Sequence, residues 1–250
     1  KFYLMFTYQI LIEYDGKKFA GWQIQKNGIS VQKVIQIALK KIIKKKIVIS
    51  GSGRTDSGVN AFEQSAHFKT NYVINNKTKF LESINHFLRN HKVSILNVKK
   101  KNKGFHARYS AKKRTYKYFI INRVAPLALD KNRAWHLKKK LDVKIMKKGA
   151  KILEGTRDFS TFRASSCGAK SPIKTINFSN IKKVKDKIEI TFISRSFLQQ
   201  QVRSMVGCLK YLGEKKWSIK KFKEALMSKK RSKCAPPAPP CGLYLSKIEY

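Results

Sequence analysis

The order of apolar periodicities is what most restricts the fold open to this chain. Tyr8-Gln9-Ile10-Leu11-Ile12-Glu13-Tyr14 reads as a strand that runs into the turn Asp15-Gly16. Val31, Val34, Ile35, Ala38, Leu39, Ile42 and Ile43 then recur on one face at helical spacing, with Ser30 at the N-cap position and lysines on the other face. A second helix is predicted over Lys77–Leu88, with Phe80, Leu81, Ile84, Phe87 and Leu88 inward, and a strand over 93–98. After the polar, basic stretch 99–104 the plan returns: a strand at 115–121, a helix at 142–153 and strands at 175–184 and 187–193. A helix at 199–212, a short helix at 219–227, a Pro-rich turn at 235–240 and a strand at 243–248 complete it. Such an order predicts an α/β chain of the α+β kind, two mixed domains similar in plan, with largely antiparallel sheets flanked by helices. The stretch 99–104 is the expected junction, giving domains 1–102 and 103–250, without a convincing sequence repeat between them.

The chain's 250 residues suffice for one large or two modest cores. Its charge is less ordinary: 56 basic against 14 acidic residues give a formal +42, spread along the whole length. Self-repulsion of that size favours a polyanionic partner, and nucleic acid leads the candidates. A competing reading attributes part of the lysine to A/T-rich coding, since Lys, Ile and Asn are all abundant. Aromatic content of 11% supplies rings on which bases can stack, and ordinary core as well.

No apolar run approaches the roughly 20 residues of a membrane span. Residues 1–6 are greasy, yet Gln9, Glu13 and Asp15 follow too soon for a signal peptide, so the start reads as a buried strand and the protein as cytoplasmic. Cys167, Cys208, Cys234 and Cys241 form no Cys-x-x-Cys pair and have no His at zinc-ligand spacing; free thiols are expected rather than a metal site or disulfides.

Chemistry concentrates first in Gly51-Ser52-Gly53-Arg54-Thr55-Asp56-Ser57-Gly58-Val59, directly after the apolar, strand-like Ile47-Val48-Ile49. Glycines allow close approach of the backbone to a ligand, and Arg54 and Asp56, two apart on extended chain, project to the same side. The run lacks the Gly-Lys-Ser/Thr of a phosphate-binding loop, Asp56 replaces the third glycine of a dinucleotide fingerprint, and no second carboxylate lies within it. By itself an Asp beside an Arg is more often a structural ion pair than a catalyst. Further clusters follow, in which basic and aromatic residues interleave as a nucleic-acid surface needs: Phe105-His106-Ala107-Arg108-Tyr109, Arg114-Thr115-Tyr116-Lys117-Tyr118 and Asp158-Phe159-Ser160-Thr161-Phe162-Arg163. Gln199-Gln200-Gln201-Val202-Arg203 opens a helix rich in hydrogen-bonding groups.

Taken with Glu13-Tyr14-Asp15-Gly16, Phe19-Ala20-Gly21-Trp22-Gln23, Met205-Val206-Gly207, Ala235-Pro236-Pro237 and Gly242-Leu243-Tyr244-Leu245, these ordered blocks resemble the TruA-type tRNA pseudouridine synthases over nearly the full chain. The resemblance implies a two-domain α/β homodimer with its active site in a cleft between the domains, converting uridine to pseudouridine in the anticodon arm of tRNA, at tRNA positions 38, 39 and 40. It implies no redox cofactor, nucleotide or metal, and no membrane partner. On the same ground Asp56 matches the nucleophile, attacking either the sugar C1′ or the base C6. Arg54 would keep Asp56 ionised or fill the gap left by the flipped base. Tyr116 would stack on the uracil and help remove the C5 proton, and Arg203 would pair with Asp56. His106, Arg108, Phe159 and Arg163 would contact RNA or pack the cleft. Met5 reads as the initiator, with 1–4 as extra sequence.

Asn60 stands where the family usually has His, and 85–96 lacks the Leu-Pro and acidic residue common there. Two other readings compete. A noncatalytic RNA-binding or folding module would share the charge but would not need Asp56, Arg54 and Tyr116. A base deaminase would need a His/Cys zinc site and a paired Glu, which the sequence does not offer.

Overall fold

The computed structural model describes residues 4–250 and divides into two compact units, one formed by the chain up to Lys112 together with Leu245–Tyr250, the other by Lys113–Tyr244. The expected junction at 102 thus falls ten residues ahead of the break, and the last six residues return to the first unit. Phe105, Ala107 and Ala111 are buried, and the segment 105–111 is tied to first-unit groups, Ala107 N–H donating to His67 Nδ1.

In the first unit, β1 (Phe6–Tyr14) pairs antiparallel with both β3 (Asn60–Thr70) and β4 (Val93–Lys101), and the strand order is β4-β1-β3-β10, with β2 (Ile49–Gly51) also on β3. Strand β10 spans Leu243–Glu249. Helix α1 (Val31–Ile43) begins where Ser30 Oγ accepts from Lys33 N–H at 3.2 Å, and buries Val31, Val34, Ile35, Ala38, Leu39 and Ile43. Its end is marked by Lys44 in the left-handed region, φ 59°, with N–H donated to Lys40 O. Helix α2 (Lys77–Leu88) is capped by Asn76 Oδ1, accepting from Lys79 N–H at 2.9 Å, and buries Phe80, Ile84 and Leu88. The expected inward Phe87 is instead part-exposed and covered by the Lys41 ammonium, 5.0 Å from its ring. The two helices pack side by side, α2 also against β4.

Strand β3 is the element the periodicity concealed. Gln64, Ser65, Ala66, His67 and Phe68 are buried in succession on it, so both faces are covered, polar residues stand among the apolar ones, and no alternation marks it. Pairing of β2 starts at Ile49, where the predicted strand 47–49 ends, because the extended chain continues into the glycines: a Cβ on Gly51 would lie 2.5 Å from the Trp22 indole. At the amino end Leu4 and Met5 are exposed and the strand begins at Phe6; residues 1–3 lie outside the described chain.

The second unit is built on antiparallel β5 (Lys113–Asn122), β9 (Lys187–Ser194), β8 (Ile173–Val184) and β7 (Gly155–Asp158), adjacent in that order, with short β6 (Trp135–Leu137) parallel to β5. Helix α3 (Val143–Ile152), capped by Asp142 Oδ1 on Ile145 N–H, lies on β8 and against α4 (Gln201–Gly213) and α5 (Ile219–Met227). Close approach of α3 to α4 needs Gly149, where a Cβ would meet Leu212 Cδ1 at 2.3 Å. The strands of each unit therefore pair largely antiparallel and are flanked by helices, as the order of periodicities predicts. Among the described residues no helix is long and apolar enough to cross a membrane.

Candidate active site

Asp56 sits in the turn that joins β2 to β3, and the turn is braced from beneath. Gln64 on β3 grips Gly53 twice, Nε2 donating to its carbonyl at 2.7 Å and Oε1 accepting its N–H at 3.3 Å. Thr55 is fixed on two sides: Trp22 N–H donates to its carbonyl at 3.1 Å, and its hydroxyl meets Tyr14 OH at 2.8 Å. Tyr14 lies just past a register shift in the pairing of β1 with β3, the kind of irregularity that re-aims a side chain. Asn60 Oδ1 accepts from Gly16 N–H at 2.8 Å, and Ser57 Oγ donates to Phe19 O at 3.0 Å. Two glycines make the approach possible. A Cβ on Gly16 would lie 2.1 Å from Val59 O, and Gly21, at φ +120°, passes Thr55 O so closely that a Cβ would lie 2.7 Å away.

Buried Thr55 separates exposed Arg54 from half-buried Asp56, the alternation expected of extended backbone. The blocks Tyr14-Asp15-Gly16 and Phe19-Ala20-Gly21-Trp22 thus have a physical task. They form the bed of the Asp56 turn. Sequence reading misses Gln64 altogether; a glutamine with no exposed surface is the sort of group that must be satisfied by something specific.

His106 and Arg108 also belong to the first unit. His106 is half-buried, with its ring 4.6 Å from that of His67 and 4.3 Å from that of Tyr109, and Arg108 is exposed.

The second unit holds Tyr116, Phe159, Arg163 and Arg203. Tyr116 lies on β5 opposite Phe192 of β9, is 8% exposed, and meets Phe197 edge-on with centroids 5.2 Å apart. Arg114, Tyr116 and Tyr118 share one face of β5 at period two, and the Arg114 guanidinium donates to Arg195 O. Arg203 lies in the first turn of α4 and donates from Nε to Ala238 O at 2.7 Å. Burial pushes the Tyr118 phenol well above its ordinary range, Cys241 adds to the rise, and the positive charge of Arg203 opposes it. Tyr118 therefore stays protonated and donates to Pro239 O at 2.8 Å. The segment 238–239 so ties the Arg203 end of α4 to the Tyr116 face of β5.

Arg163 is half-buried beside the Ser160–Phe162 turn. Phe159 has no exposed surface and packs 6.0 Å from Phe162, so its place in this structure is in the core.

A family model described as tRNA pseudouridine synthase matches residues 10–110 and 150–250. A tRNA pseudouridine synthase A from Pelagibacter ubique is 60% identical over 246 residues, spanning 98% of this chain and all of that protein. Proteins of the same name from Parvibaculum lavamentivorans and Maricaulis maris are 44% and 42% identical, each over 97% of this chain and 98% and 97% of their own lengths. A solved structure, "Crystal Structure of a Cbf5-Nop10-Gar1 Complex", aligns with 82% of this chain and 54% of its own at 10% identity and a TM-score of 0.30, too slight a likeness to bear on function. With its braced aspartate turn and a match running through both units, this chain belongs to the tRNA pseudouridine synthase family.

Proposed function

We propose that the protein isomerises uridine to pseudouridine in the anticodon arm of tRNA, at positions 38, 39 and 40, with Asp56 as nucleophile. The reaction breaks the bond from uracil N1 to C1′ and rejoins the same C1′ to C5, whose proton leaves to solvent while N1 gains one, so no atom is added or lost. Asp56 attacks either C1′ or C6, and both routes need it ionised. The guanidinium of Arg54, two residues away, favours that form.

The observation that carries this reading is the bracing of the Asp56 turn. Tyr14, Trp22 and Gln64 hold Gly53 and Thr55, so a half-buried carboxylate is presented on a backbone that does not need to reorganise during reaction. Tyr116 stacks on the extruded uracil and assists loss of the C5 proton. Stacking at roughly 1–3 kcal/mol per base offsets part of an extrusion cost of a few kcal/mol. Arg203 pairs with Asp56 during the cycle; Arg108, His106 and Arg163 contact tRNA, and Phe159 packs beneath. The enzyme acts in the cytoplasm as a homodimer, without metal or redox cofactor, and its +42 charge engages tRNA phosphates.

The test is to incubate the protein with unmodified tRNA and map pseudouridine by carbodiimide-dependent primer extension, alongside Asp56→Ala. Wild type gives stops in the anticodon arm. The variant binds tRNA within a few-fold of wild type yet gives none. Equal signal from the two proteins, or tight binding by wild type without product, would leave the noncatalytic RNA-binding reading in its place.

A further inference from the structure

We propose that Tyr109, backed by His106 and flanked by Arg108, is a stacking platform that holds one unpaired nucleotide of the RNA substrate, away from the Asp56 turn. This rests on the tRNA reading above and assigns that substrate a second point of attachment.

The ring of Tyr109 is 70% exposed, which for an apolar face of that size needs a reason. Its position is nevertheless fixed. Every backbone N–H from His106 to Ser110 has a partner: His106 N–H donates to Ser110 Oγ, Ala107 to His67 Nδ1, Arg108 and Tyr109 to His106 Nδ1, and Ser110 to His106 O. Tyr250 OH adds a bond to Ala107 O at 3.0 Å. His106 Nδ1 accepts two of these N–H groups, so its ring is held by the backbone of the same turn.

The rings form a ladder. Tyr109 lies 4.3 Å from His106, tilted by 31°, and His106 lies 4.6 Å from buried His67. The Arg108 guanidinium stands 5.5 Å from the Tyr109 ring. An exposed aromatic ring on a turn without backbone freedom, with a cation beside it, matches what an unpaired nucleotide offers: a flat π-face for the ring and a phosphate for the guanidinium. A base seated on Tyr109 takes over the contact that Arg108 makes in the unbound protein, and Arg108 moves to the adjacent phosphate. A ring that served only to cover the core would be buried, as Phe105 is on the same segment.

The platform stands on a different stretch of β3 from the one that braces the Asp56 turn: His67, at its base, lies three positions beyond Gln64, or about 10 Å of extended strand. Tyr109 is accordingly a positioning residue, and its loss changes KM rather than kcat.

Three variants test this in steady-state and single-turnover assays with unmodified tRNA. Tyr109→Ala is expected to raise the tRNA Kd and KM roughly 5- to 50-fold and to leave the single-turnover rate at saturating tRNA within about twofold. Tyr109→Phe keeps the ring and binds as wild type. Tyr109→Trp binds at least as tightly, and its added indole emission is quenched by an unstructured oligoribonucleotide. The platform is overturned if Tyr109→Ala binds tRNA within twofold of wild type, if Tyr109→Phe loses as much as Tyr109→Ala, or if the added indole emission is unchanged by RNA. A wild-type protein without pseudouridine formation would overturn the enzymatic reading instead, and the quenching measurement would still decide whether the platform holds RNA.

Discussion

His67 shows how a single residue couples the stability of the first unit to pH. Burial holds its imidazole below the ordinary value of 6.5, the nearby charges of His106 and Lys69 push the same way, and a hydrogen bond to the Ser50 backbone opposes them. The folded state therefore favours neutral His67, which accepts the Ala107 N–H at 3.2 Å. In the unfolded chain the ring protonates near 6.5. As pH falls below that value the unfolded state takes up the proton first, so stability present above it is lost down to the lowered pKa of the folded protein. Urea melts at about pH 7 and pH 5 should show wild type weakening on acidification, and His67→Asn, whose amide offers an acceptor that does not titrate, should show a smaller loss. Equal losses would assign the acid sensitivity elsewhere. The blocks that carry Asp56, Tyr116 and Arg203 stand out in the sequence by their composition. His67 and Gln64 do not, because a buried polar side chain is indistinguishable from an exposed one until its partner, here forty or eleven residues away, is known.

At the scale of elements, α4 and the Pro-rich segment that follows α5 act as one piece. Ala238 N–H donates to Arg203 O at 2.9 Å while Arg203 Nε returns a bond to Ala238 O, and Ala235 N–H donates to Cys208 Sγ. Arg231 donates to Ser204 Oγ at 2.7 Å, and the Cys208 and Cys234 sulfurs approach to 3.6 Å. Gly207 makes this possible, since a Cβ there would lie 2.0 Å from Pro236 O, a backbone atom that cannot swing aside. Gly207→Ala should accordingly destabilise the protein by about 1–3 kcal/mol and displace the 236–238 segment that holds Arg203. Denaturant melts report the first effect and loss of pseudouridine formation at saturating tRNA the second; an alanine variant with wild-type stability would contradict the packing. The helices were legible because caps and apolar faces are local: Ser30, Asn76, Asp142 and Ser218 all cap as their types predict. Helix α4 begins two residues later than its polar run suggests, because Gln200 adopts φ 60° and breaks the helical path. Strand β3 was hidden, because both its faces are buried and polar residues interrupt its apolar ones.

Over the whole molecule the chain closes on itself in a way no local pattern records. The order of periodicities predicts two α/β units, but the final strand pattern has the same period whichever sheet it joins, so its return to the first unit is set by closure and not by composition. Leu245 and Ile248 are buried, Lys112 N–H donates to Glu249 O at 2.8 Å, and Tyr250 OH meets both Ser65 Oγ and Ala107 O. Ser65 is itself buried and holds Gln9 of β1, so the last residue of the chain completes a network begun by the first strand. These closing contacts join residues up to 185 apart in sequence, so they carry a large loop-closure entropy. Deleting 245–250 removes the apolar side chains of two strand positions and leaves the Ala107 carbonyl without its Tyr250 partner, a loss of several kcal/mol. Limited proteolysis of the truncated chain should then cut within 6–112 well before it cuts within 113–244, whereas Tyr250→Phe, which keeps the ring against Phe105 and removes only the hydroxyl, should cost about 1–3 kcal/mol and leave the digestion pattern unchanged. Equal protection of both regions in the truncated protein would mean that the first unit is complete without the end of the chain.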